Sequence, residues 1–267
     1  MCIRDRNKTT FGAFLFLFSA SLFAKQGHFV SSDGVSIFYT DTEEDKTPIV
    51  LMHGFTMDHA MWSQSEVKKK LAVDYRVITT DFRGHGRSDK PLGVSSYGPK
   101  VGLDVIALLN HLDLDKAHML GYSMGAFVLG RLLVTHPKKI ISATFCSGGF
   151  PIDTQEERAF QEMTAKHMEE DGNDVFASIA RGWAFDSVSE EQIEVIDVPM
   201  IAVFGSEELN DETKFLTRLI TLPKSSQPLV VIDGADHDSE KAAVLHSEFA
   251  TTVENFLGDI ESGLIDR

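Results

Sequence analysis

The chain of 267 residues is 43% hydrophobic and 24% charged, with 20 Gly and 8 Pro, enough apolar material for one large domain or two smaller ones. That composition excludes a disordered chain, a collagen-like fibre and a disulfide-stapled miniprotein. The 25 Lys and Arg against 40 Asp and Glu leave a net charge of −15, which repels phosphate backbones and anionic lipid, so no nucleic-acid partner is expected. The histidines and cysteines form no metal-ligand pattern, HExxH and an EF-hand loop are both lacking, and no metal site is expected.

The amino terminus comes first in chain order. Residues 11–24 are almost wholly apolar and follow the basic Arg4, Arg6 and Lys8. As a helix this run would reach only ~21 Å, short of a ~30 Å hydrocarbon core. A basic start, a short apolar run and the small Ala24 before a polar stretch predict a signal peptide over residues 1–24 and an exported, periplasmic or extracellular protein. A buried helix and an uncleaved anchor are the alternatives. The first six residues fit the pattern poorly and are set aside. Removing 1–24 takes three cations against one acid, leaves no membrane span, and removes Cys2, so that Cys146 stands alone without an internal disulfide. Cys146 lies in an apolar stretch and is expected to be buried core.

From residue 28 the hydrophobic period alternates between two and 3.6. His28–Ser32 and Val35–Thr40 predict an antiparallel pair around Asp33-Gly34. Short apolar runs predict covered strands at Pro48–Met52, Arg76–Thr80, Ala117–Leu120, Ile140–Cys146, Met200–Phe204 and Leu229–Ile232. Between them, Val101, Val105, Leu108, Leu109 and Leu112 share a helical face, Gly125–His136 is apolar nearly all round, and Phe249, Val253, Phe256 and Leu257 stripe a last helix. This alternation predicts an α/β fold with a doubly wound, mostly parallel sheet over 25–149 and 198–267. Residues 150–197 break the rhythm and predict a small helical cap with two helices, one carrying Phe160, Met163 and His167 on one face, the other Val175, Ile179 and Trp183.

Gly121-Tyr122-Ser123-Met124-Gly125 matches G-x-S-x-G between a predicted strand and a predicted helix. A nucleophile there needs a tight turn in strained backbone geometry, flanking glycines to avoid clashes, and a helix N-terminus facing developing negative charge. With His53-Gly54-Phe55 after the third strand, Asp81-Phe82-Arg83-Gly84-His85-Gly86-Arg87-Ser88 after the fourth and Gly234-Ala235-Asp236-His237 after the last, the chain resembles the α/β-hydrolase superfamily from about residue 28 to 258.

The resemblance implies Ser123 as nucleophile and His237 as general base and acid. It places the third member three residues past a glycine, usually as Asp; here Gly205-Ser206-Glu207-Glu208-Leu209-Asn210-Asp211 puts Glu208 there, with Asp211 and Glu207 as alternatives. The backbone N–H groups of Phe55 and Met124 are the implied oxyanion hole. Asp81, Arg83 and His85 are expected to brace loops. Met57, Met61, Trp62, Tyr122, Phe150, Trp183 and Phe185 are candidates for a substrate pocket, each with ordinary packing as the plainer account.

A serine nucleophile excludes the branches that use an aspartate at the same turn. The expected activity is hydrolysis of a small or medium carboxylic ester, thioester or lactone through an acyl-enzyme, without metal or organic cofactor. Carbon–carbon bond hydrolysis, peracid formation and a binding protein on the same scaffold are the alternatives.

Overall fold

The computed structural model describes residues 24–183, 187–237 and 239–266; residues 1–23 of the expected signal peptide and Phe185 lie outside them. Eight strands, β1 (Lys25–Val30), β2 (Ser36–Asp41), β3 (Pro48–Met52), β4 (Arg76–Thr80), β5 (Ala117–Tyr122), β6 (Ile140–Cys146), β7 (Met200–Gly205) and β8 (Val230–Ile232), form one sheet in the order β1-β2-β4-β3-β5-β6-β7-β8. β1 and β2 pair antiparallel, and β2 runs antiparallel to β4; the other pairings are all parallel. The mostly parallel α/β sheet read from the sequence is therefore the fold.

The helices are α1 (Met61–Gln64), α2 (Glu66–Leu71), α3 (Pro99–His111), α4 (Met124–Thr135), α5 (Gln155–Glu170), α6 (Asp174–Gly182), α7 (Glu190–Glu194), α8 (Asp211–Ile220) and α9 (Ser247–Glu261). Strand side chains alternate between two cores, as the two-residue period requires. Val50 and Met52 of β3 join α3, α4 and α8 on one face, while Ile49 and Leu51 join α2 and α9 on the other. Val101, Val105, Leu108 and Leu109 are buried in the first core, with Leu112 packed against it; Phe249, Val253, Phe256 and Leu257 are buried in the second. Cys146 is fully buried, and burial pushes its thiol well above the usual range, so it packs as a small apolar residue.

Between β6 and β7 the described residues form three α-helices, where the sequence suggested two; α7, only five residues long, is marked by a capping box at Ser189 and Gln192. The expected faces also differ. Phe160 and Met163 on α5 are 51% and 62% exposed, and Gln161 and Ala165 are the buried positions. The reason is close packing. Ala165 meets Ala177 and Ala180 of α6, and such small residues bring the two helices together on a face that hydrophobic patterning underrates. On α6, Ile179 is buried, and Val175 and Trp183 pack against the main core.

Candidate active site

The chemistry-bearing loops leave the carboxyl ends of neighbouring parallel strands, where an open α/β sheet presents its crevice. Ser123 sits at the tip of the central β5, between that strand and α4, with φ 51° and ψ −117°. This left-handed backbone is costly for a residue with a Cβ and is held here by packing on both sides. A Cβ on Gly121 would lie 2.3 Å from the Gly125 carbonyl oxygen, and one on Gly125 would lie 2.3 Å from that of Met52. The flanking glycines let the turn and β3 approach this closely. Met124 opens α4, so its N–H is among those that no carbonyl of its own helix can accept.

His237 follows β8 and presents Nε2 to Ser123 Oγ at 3.0 Å. Its Nδ1 lies 3.1 Å from Glu208 Oε2. An ionised carboxylate only accepts, so Nδ1 carries the proton and Nε2 is left to accept from the serine hydroxyl. Glu208 is 8% exposed, and its other oxygen accepts from Ser147 Oγ at 2.8 Å and from the Gly205 N–H. Asp211 and Glu207 point elsewhere: both are exposed, and Asp211 pairs with Lys214. The backbone thus brings together Ser123, His237 and Glu208 from three strand tips. A glutamate reaches the histidine because Gly205 N–H and Ser147 fix its far oxygen.

Ser147 is a residue that the sequence reading missed. It sits at the tip of β6 with φ 52°, and its N–H bonds to the Val203 carbonyl. Its position directly after a fully covered strand, before Gly148-Gly149, is the signal that could have marked it.

The loop bearing Phe55 is fastened by two histidines and an aspartate. His53 Nδ1 donates to the Gly54 carbonyl at 2.7 Å, which leaves Nε2 to accept the Phe82 N–H at 3.0 Å. Burial, aided by the nearby His85, holds the His53 imidazole well below its usual pKa and therefore neutral. Asp81 Oδ1 accepts the N–H and Nδ1–H of His59, each at 2.7 Å, and Oδ2 accepts the Arg87 N–H. Asp58, His59 and Asp81 come close enough to hold a cation, yet the Asp81 oxygens are already spent on these bonds, which makes the cluster a brace. Arg83 spans Asp104, Asp33 and the Ser96 carbonyl, as a bracing residue should.

A cavity of about 940 Å³ opens over Ser123 and His237, with Phe55, Met57, Tyr122, Met124, Phe150 and Trp183 on its wall. Phe127, Val128, Phe204, Phe215 and Leu216 make much of the rest apolar. Trp62 is not part of it. α1 turns that indole into the second core, fully buried among residues of β3, α2 and α9, so the expectation that it lines the pocket is corrected. Met61 packs against the same core and lines a separate cavity of about 530 Å³. Tyr122 touches the main cavity, but its hydroxyl donates to the His237 carbonyl and its ring stacks on the imidazole, 5.8 Å between centroids.

With a nucleophile turn, a histidine and a carboxylate in hydrogen-bonded series at the tips of a mostly parallel sheet, the class is defined. A family model described as alpha/beta hydrolase fold matches residues 47–195, and the chain belongs to that family. Among its relatives, a non-heme chloroperoxidase of Streptomyces lividans is 34% identical over 128 residues, 47% of this chain and 46% of that protein. A 3-oxoadipate enol-lactonase of Acinetobacter baylyi is 34% identical over 113 residues, 42% of this chain and 41% of that one. The chain thus spans less than half the length of the curated relatives that it matches. The fold is shared with a thermophilic esterase from Thermogutta terrifontis, TM-score 0.76 at 19% identity over 89% of this chain and 99% of that one.

Proposed function

We propose that the protein is a serine hydrolase of carboxylic esters, thioesters or lactones that works through an acyl-enzyme on Ser123. The observation that carries this is the series Ser123 Oγ to His237 Nε2, 3.0 Å, and His237 Nδ1 to Glu208 Oε2, 3.1 Å, opening into an apolar cavity. A serine hydroxyl becomes a competent nucleophile only when a base takes its proton during attack, and this geometry supplies that base.

In the first half-reaction Oγ attacks the substrate carbonyl carbon as its proton passes to Nε2. The carbonyl oxygen, now negative, faces the N–H groups of Phe55 and Met124, and one such donor contributes about 3 kcal/mol to the transition state. Glu208 stabilises the imidazolium and keeps the ring in the required tautomer. The imidazolium then protonates the leaving alcohol as the carbon–oxygen bond breaks. In the second half a water gives its proton to Nε2, attacks the acyl carbon and releases the acid, returning the proton to Ser123. These steps need only groups of the chain and water. The enol-lactonase and the esterase among the similar proteins support the choice of an acyl substrate.

Hydrolysis of p-nitrophenyl butyrate by the wild type, Glu208→Gln and Asp211→Asn tests the reading. It predicts turnover by wild type and Asp211→Asn, with kcat lowered by about 10³-fold or more in Glu208→Gln. Equal activity of all three would refute the role given to Glu208.

A further inference from the structure

A second cavity lies beside the catalytic one. It holds about 530 Å³ between α1 and the residues that follow His237, with Asp58, Met61, Gln64, Glu240, Val244 and Leu245 on its wall. Among the described residues, Met57 and Tyr122 line both cavities. These two meet at one point: a Cβ placed on Gly54 would lie 3.1 Å from Tyr122 Cδ1 and 3.3 Å from Met57 Sδ. Together they form a partition between the two spaces.

The two halves of the partition differ in freedom. Tyr122 is 1% exposed, its ring stacks on the His237 imidazole and its hydroxyl donates to the His237 carbonyl, so it cannot move without disturbing the base. Met57 is half-buried, and its unbranched thioether chain changes rotamer at little cost. Its backbone is held, because its N–H bonds to the Gly54 carbonyl at 3.2 Å and closes the turn that carries Phe55. The partition also stands where the leaving group must pass. In the tetrahedral intermediate the oxyanion faces the Phe55 and Met124 N–H groups, and the leaving oxygen must come within reach of His237 Nε2, which protonates it. The alcohol therefore departs between the Phe55 turn and the histidine. Met57, two residues past Phe55, and Tyr122, stacked on the imidazole, border that gap.

We propose that Met57 sets the specificity for the alcohol half of the ester: its side chain is the movable part of the partition, and the second cavity receives alcohol groups that reach past it. The proposal rests on the ester-hydrolase reading and adds a substrate class to it, esters of uncharged alcohols with an apolar body. Met61, Val244 and Leu245 offer that body hydrocarbon, while Asp58 and Glu240 repel an anionic group. The acyl chain stays in the larger cavity, against Phe127, Phe150, Phe204, Phe215 and Leu216.

The test compares kcat/KM for 2-phenylethyl butyrate and ethyl butyrate, followed by proton release. This constant reports the steps up to acylation, the half-reaction in which the alcohol is still attached. In Met57→Ala the preference for the 2-phenylethyl ester is expected to rise about tenfold over wild type, and Ala60→Phe added to it should return the preference to within about twofold of wild type. Ala60 is exposed and lines the second cavity but not the first, so a phenyl ring there fills the one without entering the other. The ratio of p-nitrophenyl octanoate to p-nitrophenyl butyrate reads the acyl side and should move by less than about twofold in both variants. An alcohol preference unchanged in Met57→Ala overturns the proposal, as does a gain that survives Ala60→Phe or an acyl ratio that shifts as far as the alcohol ratio. Where Met57→Ala fails to fold, Met57→Val decides: a preference raised about threefold or more supports the proposal, and an unchanged one overturns it. A wild type that turns over no ester refutes the hydrolase reading, and the alcohol site falls with it. A wild type that turns over esters beside Met57 variants of unchanged alcohol preference refutes the alcohol site alone.

Discussion

Glu208 departs from the aspartate that the resemblance leads one to expect, and its surroundings explain how the longer side chain serves. One oxygen is fixed by Ser147 Oγ and the Gly205 N–H, which aims the other at His237. Removing the Ser147 hydroxyl leaves a buried carboxylate oxygen short of a donor and lets the glutamate swing. Ser147→Ala is expected to lower kcat about tenfold with little change in KM, a split that steady-state kinetics reads directly. Ser123 and His237 were legible in the sequence because each lies in a short pattern fixed to a strand end. Glu208 was legible only by counting from Gly205, since three acids crowd that turn and only burial separates them. Ser147 was not legible. Its importance depends on which distant side chain it meets, Glu208 61 residues away. Trp62 shows the converse: it was an aromatic candidate for the pocket, but α1 turns the indole into the core that holds α2 and α9.

At the scale of elements, the turn between β5 and α4 is a tight junction on both sides. A methyl group at residue 125 would press on the Met52 carbonyl of β3, and backbone cannot yield as a flexible side chain can. Gly125→Ala is therefore expected to destabilise the protein by about 3 kcal/mol or more, seen as a lower urea midpoint, and to lower activity through displacement of Ser123. The strands and the sheet-covering helices were readable because covered strands show unbroken apolar runs, and helices against a sheet show a 3.6-residue stripe. The segment between β6 and β7 was less readable for a physical reason. α5 and α6 meet through Ala165, Ala177 and Ala180, which carry little hydrophobic signal, while Phe160 and Met163 remain exposed. Ala165→Leu is expected to force α5 from α6 at a cost of about 1–3 kcal/mol, measured by thermal unfolding.

The whole molecule carries a pH dependence of stability in its buried histidines. Burial lowers the His85 imidazole to about 4, despite the bond that its Nδ1–H donates to the Arg83 carbonyl, which opposes the shift, and burial lowers His53 in the same direction. In the unfolded chain both histidines take protons below about 6.5. As pH falls through that value the unfolded state binds protons that the folded state cannot, so stability declines from about pH 6.5 towards pH 4, and His85 alone accounts for roughly 3 kcal/mol of the loss. His85→Gln should flatten that part of the pH–stability curve; an unchanged slope would show that His85 is not its source. The basic start, the apolar stretch and the small Ala24 before Lys25 lead us to propose export with cleavage after Ala24, for which Edman sequencing of the mature protein should return Lys25 as the first residue.

The proposed chemistry depends on Ser123 being an activated nucleophile. Fluorophosphonate labelling of the purified protein, read by intact mass and peptide mapping beside Ser123→Ala, tests this most directly. The predicted result is a single adduct on Ser123, absent from Ser123→Ala and slowed at least 100-fold in Glu208→Gln, where the imidazole loses the carboxylate that fixes its tautomer and stabilises the imidazolium. No adduct on the wild type at high probe concentration, or an adduct that survives in Ser123→Ala, would contradict the assignment.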